Sequence, residues 1–199
     1  MQVLTLDSAA FDHHAAKLAK IVEEDPTDRF DAIVAVRRGG AFVCDAFCRH
    51  FPRSRYETRY DVTLQRPSTK RKTGILSLIL KCLPLPVLDL MRMGESVMLT
   101  LCRKIKAPSE TPIVEIPEGL AHILKERESP EILIIDDAID SGDTLFAIAE
   151  TLRETNERAI VRIAVMTETT GNPRIRSDYS LYRNKTLIRF PWSNDYKKR

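Results

Sequence analysis

Ile132 to Leu145 reads Ile-Leu-Ile-Ile-Asp-Asp-Ala-Ile-Asp-Ser-Gly-Asp-Thr-Leu, and this run narrows the fold more than any other stretch of the chain. A continuous apolar block of this kind suits a strand covered on both faces, as in a parallel sheet. Here the block, Glu131 to Asp136, runs straight into two carboxylates, Asp136 and Asp137. Asp140 follows three residues on, and Ser141-Gly142-Asp143-Thr144 then turns into a helix predicted over Ser141 to Asn156, with Leu145, Ile148, Ala149 and Leu152 on one face. A tight loop at a helix N-terminus presents N–H groups and the positive end of the dipole, which together cradle an anion. Gly142 lets the backbone come close, and Ser141 and Thr144 add hydroxyls. Adjacent carboxylates at a strand's carboxyl edge can hold vicinal hydroxyls or a hydrated divalent cation. In an open α/β sheet that edge is where ligands bind.

The rest of the chain alternates in the same way. Asp7 or Ser8 caps a helix to about Glu24, with Phe11, Ala15, Leu18 and Val22 on one face. A buried strand is predicted over Asp31 to Val36, a helix from Gly39 to about His50 and a strand over Arg55 to Thr63. An edge strand follows over Ile113 to Ile116, a helix over Pro117 to Glu128, a strand over Ile160 to Met166, and one or two more between Tyr179 and Phe190. Such alternation implies an α/β class with a mostly parallel central sheet flanked by helices. The 199 residues carry a net charge of only +3, suit one domain and need neither disulfide nor metal to fold.

Cys44, Cys48, Cys82 and Cys102 form no C-x-x-C pair, and Cys44 and Cys48 read as small core residues. Reduced thiols and an N-terminus without a secretory pattern lead to the expectation of a cytoplasmic protein. The apolar stretch Gly74 to Cys102 contains Lys81, Asp89, Arg92 and Glu95 with Pro84 and Pro86, so it lacks the pattern of a membrane span. It is expected to form a helical insertion, at about 66–112, that packs on a partner subunit or over the site. Its basic flanks leave membrane-surface association open as a weaker reading. Between Arg53 and Lys72 seven basic residues face two acids, a composition of a solvated face that can also meet phosphates or nucleic acid.

The segment Ile132 to Thr144 resembles the phosphoribosyl-pyrophosphate (PRPP) signature of the type I phosphoribosyltransferases. Ala35-Val36-Arg37-Arg38-Gly39-Gly40 is similar to the pyrophosphate loop of the xanthine-guanine branch of that family. Gly171-Asn172-Pro173, Asp178-Tyr179 and Pro191-Trp192 fall at the spacing of that branch's last strands. The resemblance implies a single phosphoribosyltransferase domain over 1–199, with a C-terminal hood at about 167–199. It implies that Asp136 and Asp137 hold the ribose hydroxyls of PRPP together with Mg2+, and that Asp140 is the acid/base near the nucleobase. Ser141, Gly142, Asp143 and Thr144 would wrap the 5′-phosphate, with the Asp143 carboxylate turned away from it. Arg37, Arg38 and Gly39 would meet pyrophosphate, with a cis peptide expected at Arg37-Arg38. Glu168, Leu187, Ile188 and Trp192 would form the base pocket. The expected partners are PRPP and a small nucleobase-like substrate, in a homo-oligomer such as a dimer, with nucleic acid disfavoured.

Two residues depart from that branch. Glu168 stands where a Lys donates to a purine 6-oxo group, and Leu187 stands where a Trp stacks on the purine. A carboxylate there would favour an amino group, which predicts poor use of 6-oxopurines. Altered base-pocket residues keep a second reading open, that of a PRPP- or nucleotide-binding regulator on the same fold, contacting RNA through its basic run. A third reading is an unrelated strand-loop-helix phosphate binder. The missing Walker-type Lys disfavours an ATPase.

Overall fold

The structure is a computed structural model that describes residues 2–26, 29–65, 84, 86–90, 94, 113–183 and 186–197. In chain order the elements are β1 (Gln2–Thr5), α1 (Ser8–Glu23), β2 (Phe30–Val36), α2 (Gly39–His50), β3 (Tyr56–Gln65), β4 (Ile113–Glu115), α3 (Glu118–Glu126), β5 (Glu131–Ile139), α4 (Asp143–Thr155), β6 (Ile160–Glu168), β7 (Tyr179–Arg183) and β8 (Thr186–Arg189). A six-stranded sheet has the order β4-β3-β2-β5-β6-β7, parallel except for the antiparallel edge strand β4. This is the α/β class read from the sequence. Residues 86–90 are helical, and the remainder of the expected insertion, with Cys82 and Cys102, lies outside the described residues.

Alternation along the central strands explains why both sheet faces are covered. Ile33, Ala35, Leu133 and Ile135 meet Phe11, Leu18, Val43 and Phe47 of α1 and α2. Val34, Ile132 and Ile134 meet Leu120, Leu124, Leu145, Ile148 and Leu152 of α3 and α4. Each strand therefore lacks a polar face and reads as a continuous apolar run. Asp7 caps α1 as expected, its carboxylate accepting the Ala10 N–H at 2.8 Å.

Three departures shape the site. β5 does not stop at Asp136 but continues to Ile139, because Ala138 and Ile139 pair with Thr167 and Glu168 of an equally extended β6. β2, on its other side, ends at Val36 and last pairs at Ala35 with Ile135. Asp136 and Asp137 thus lie on a strand that outruns its neighbour, and the start of α2 fills the step. Helix α4 begins at Asp143 rather than Ser141, because Gly142 adopts φ +80°. β1 was not anticipated from the sequence at all, and it pairs in parallel with β8 as a separate two-stranded sheet.

Candidate functional site

The acid pair is packed against glycine. A β-carbon on Gly39 would collide with the Asp137 carboxylate, and one on Gly40 would lie 2.7 Å from the Ile135 carbonyl and 2.9 Å from Asp136 Cα. Gly39 and Gly40 are therefore what allow α2 to begin directly on β5. Asp136 is buried, and its Oδ1 accepts the Asp137 N–H at 2.9 Å. Burial, and then the Asp137 charge, push the Asp136 carboxyl well above the usual carboxylate range. Burial also raises Asp137, opposed by its hydrogen bond with Asp136. Two acids in such surroundings favour a proton or a cation between them. Among the described residues no cluster of three or more His, Cys, Asp or Glu side chains forms a metal cage. A carboxylate pair alone suits an ion such as Mg2+, which keeps several waters and takes its other ligands from substrate oxygens.

The Arg37-Arg38 peptide is cis, as the resemblance implied. Arg37 Nε lies 3.5 Å from Asp61 Oδ2 of β3, while Arg38 is exposed immediately before α2. The register of β2 on β5 places this loop level with Asp136 and Asp137.

The α4 turn has a second use for its glycine. The Arg174 N–H donates to the Ser141 carbonyl at 2.9 Å, and a β-carbon on Gly142 would meet the Arg174 and Ile175 backbone at 3.0–3.1 Å. Left-handed backbone and close chain approach both call for Gly here. Asp143 forms an ion pair with Arg174 at 3.7 Å, and Arg174 lies 3.8 Å from the Phe146 ring centroid. The Asp143 carboxylate is thus drawn toward the loop after β6. Ser141 Oγ accepts the Asp143 N–H at 3.3 Å, and Thr144 is half-buried in the first turn of α4. Asp140 is exposed just beyond β5, and its Oδ1 accepts the Thr169 hydroxyl at 2.6 Å.

The base-pocket residues divide. Glu168 is fully buried and turned into the loop that follows β6. Its Oε1 accepts the Ser177 N–H at 2.8 Å and the Ser177 hydroxyl at 2.6 Å, and its Oε2 lies 3.5 Å from Arg176 Nη1. These partners turn its carboxylate toward the loop, where the resemblance implied a substrate edge. Burial of a charge demands such partners, and the loop supplies them. Leu187 is buried on β8, and the Thr167 hydroxyl ties β8 to the end of β6 through the Thr186 carbonyl at 2.7 Å. Ile188, which the resemblance implied for the base pocket, packs in the α1–α2 core. Trp192 packs against the same core. It stacks on Phe190 at 4.7 Å and Phe42 at 4.8 Å, edge-on to Phe11 at 4.9 Å. It lines a cavity of about 370 Å³ with Ser8, Phe11, Phe42, Asp45, Arg49 and Pro191, which contains none of the aspartates on β5. The Arg37-Arg38 loop beside Asp136 and Asp137 marks the strand ends, not that cavity, as the candidate site.

Sequence reasoning missed Thr169 and Arg189. Arg189 is fully buried, donating to Asp195 at 2.9 Å, to Thr5 Oγ1 at 3.0 Å and to Asp89 at 2.6 Å. Burial works against its charge, but the bonds it donates to Asp195 and Asp89 outweigh that and strengthen its hold on the proton. No sequence pattern marked it, since its partners are far apart along the chain.

No curated protein matches the sequence. Among solved structures, a purine phosphoribosyltransferase from Pyrococcus horikoshii is 18% identical, with 100% of this chain and 98% of that chain covered and a TM-score of 0.60. A xanthine-guanine-hypoxanthine phosphoribosyltransferase from Helicobacter pylori is 16% identical, covering 96% and 90% at a TM-score of 0.55. A Neisseria gonorrhoeae protein with bound ppGpp is also 16% identical, covering 96% and 89% at a TM-score of 0.56. At these identities the likeness is one of fold. The model of the phosphoribosyl transferase domain family matches residues 5–198, and the chain belongs to that family.

Proposed function

We propose that the protein transfers the 5-phosphoribosyl group of PRPP to a nucleobase or a related amine, releasing pyrophosphate. The observation that carries this reading is the direct packing of Gly39-Gly40 on Asp136 and Asp137, with the α4 turn on the same strand. It supports the reading because an arginine-bearing loop and a carboxylate pair share one edge of the sheet, and a helix N-terminus follows from the same strand. The first turn of α4 would receive the 5′-phosphate, where the helix dipole favours an anion. Asp136 and Asp137 would accept from the ribose 2′- and 3′-hydroxyls, and Arg38 would oppose the pyrophosphate charge. Mg2+ held by Asp136 and Asp137 through water would neutralise charge on the departing pyrophosphate. The ring nitrogen's electron pair forms the bond to C1 as the bond from C1 to the pyrophosphate oxygen breaks, its pair leaving with that oxygen. The proton on the ring nitrogen passes to Asp140, which is exposed at the strand end.

Pyrophosphate release from Mg2+ and PRPP, measured across a panel of purine and pyrimidine bases, tests the proposal. At least one base should give stoichiometric pyrophosphate and nucleoside monophosphate. Binding of PRPP with no release across the panel would favour a nucleotide-binding regulator instead.

A further inference from the structure

We infer that Thr169 is the positioning residue for Asp140, holding its carboxylate as a proton acceptor; this rests on the transferase reading proposed above. Asp140 is the first residue beyond β5, and Thr169 the first beyond β6. The last paired residues of those strands, Ile139 and Glu168, lie directly opposite each other. The Thr169 N–H extends the ladder by one bond, donating to the Ile139 carbonyl at 2.9 Å. The Thr169 side chain is therefore fixed to the sheet rather than to a free loop, and it is buried.

Its hydroxyl has two acceptors, Asp140 Oδ1 at 2.6 Å and the Ile139 carbonyl at 3.2 Å. A single hydroxyl hydrogen can serve only one of them well at a time. The shorter distance is that of a hydroxyl bonded to an ionised carboxylate. The Ile139 carbonyl already accepts the Thr169 N–H, so it does not depend on the hydroxyl. While Asp140 is ionised, the hydroxyl donates to Oδ1 and fixes the plane of the carboxylate, leaving Oδ2 for the incoming proton. Once Asp140 has taken the proton from the ring nitrogen, the hydroxyl can turn to the Ile139 carbonyl. Thr169 neither gains nor loses a proton in the cycle.

The test is a set of four variants, Thr169→Val, Thr169→Ser, Asp140→Asn and the double variant, assayed with PRPP and the best base. Thr169→Val keeps the shape and removes the hydroxyl. It should lower kcat roughly 10- to 100-fold, with KM for PRPP changed less than about twofold because the PRPP-binding groups are untouched. Thr169→Ser should restore kcat to within about threefold of wild type, since it keeps the donor. In the Asp140→Asn background, Thr169→Val should cause no further loss, because the two act as a unit. Unchanged kcat in Thr169→Val, equal losses in the Val and Ser variants, or full additivity with Asp140→Asn would each overturn the inference while leaving the transferase reading intact. Absence of turnover by the wild type with every base would overturn both.

Discussion

Asp140 and Glu168 are carboxylates at the ends of neighbouring strands, and their surroundings give them opposite work. Asp140 is exposed with one hydroxyl partner, whereas Glu168 is sealed in with both oxygens engaged. Replacing Asp140 by Asn would remove the proposed proton acceptor, and turnover should fall by roughly 10²–10⁴ with PRPP affinity little changed. Steady-state kinetics alongside calorimetric binding of PRPP check this. Glu168→Lys would place a buried cation beside Arg176 and the Ser177 donors. It should destabilise the fold by about 3–5 kcal/mol, read from denaturant unfolding, rather than redirect base choice. A stable Glu168→Lys protein with altered base preference would return Glu168 to the substrate edge. Its inward turn was hidden from the sequence because Ser177 and Arg176 were not known to fold back onto it. Gly142 was expected to let an anion approach; the structure shows its left-handed backbone and the close approach of Arg174 and Ile175.

At the scale of elements, apolar runs made β2, β5 and β6 legible, and α1, α2 and α4 followed from periodicity and capping residues. Strand ends were not legible. β5 and β6 extend because they pair with each other beyond the end of β2, a property of two segments jointly. β1 went unread because four residues, Gln2 to Thr5, carry too little pattern, and their strand character comes from pairing with β8. Arg189 joins these remote pieces, reaching β1 through Thr5, the helical residues 86–90 through Asp89 and the chain end through Asp195. Arg189→Met removes three charge-assisted donors, those to Asp195, Thr5 and Asp89, from a fully buried position. A loss of about 3–5 kcal/mol is expected. Hydrogen exchange should accelerate first in β1 and β8, and uniform acceleration across the central sheet would argue against a local clasp.

For the whole molecule, the acid pair sets function against stability. Asp136 and Asp137 sit together in buried surroundings that raise both carboxyls, so the protein without ligand carries an uncompensated cost at the centre of its cleft. Asp136→Asn keeps an oxygen for the Asp137 N–H and removes an acid whose ionised form burial and the Asp137 charge disfavour. It should stabilise the unliganded protein by about 0.5–2 kcal/mol while weakening PRPP binding, a trade common at binding sites. Thermal unfolding with and without Mg2+ and PRPP separates the two effects. Among the described residues no helix is long and apolar enough to cross a membrane. Calorimetric titration of the full chain with PRPP in the presence of Mg2+ tests the cleft most directly. The wild type should bind one PRPP per chain, more weakly when Mg2+ is withheld, and Asp137→Ala should lose at least tenfold in affinity, about 1.4 kcal/mol. A folded wild type that gives no binding heat, or an Asp137→Ala variant that binds PRPP as tightly as wild type, would contradict the account.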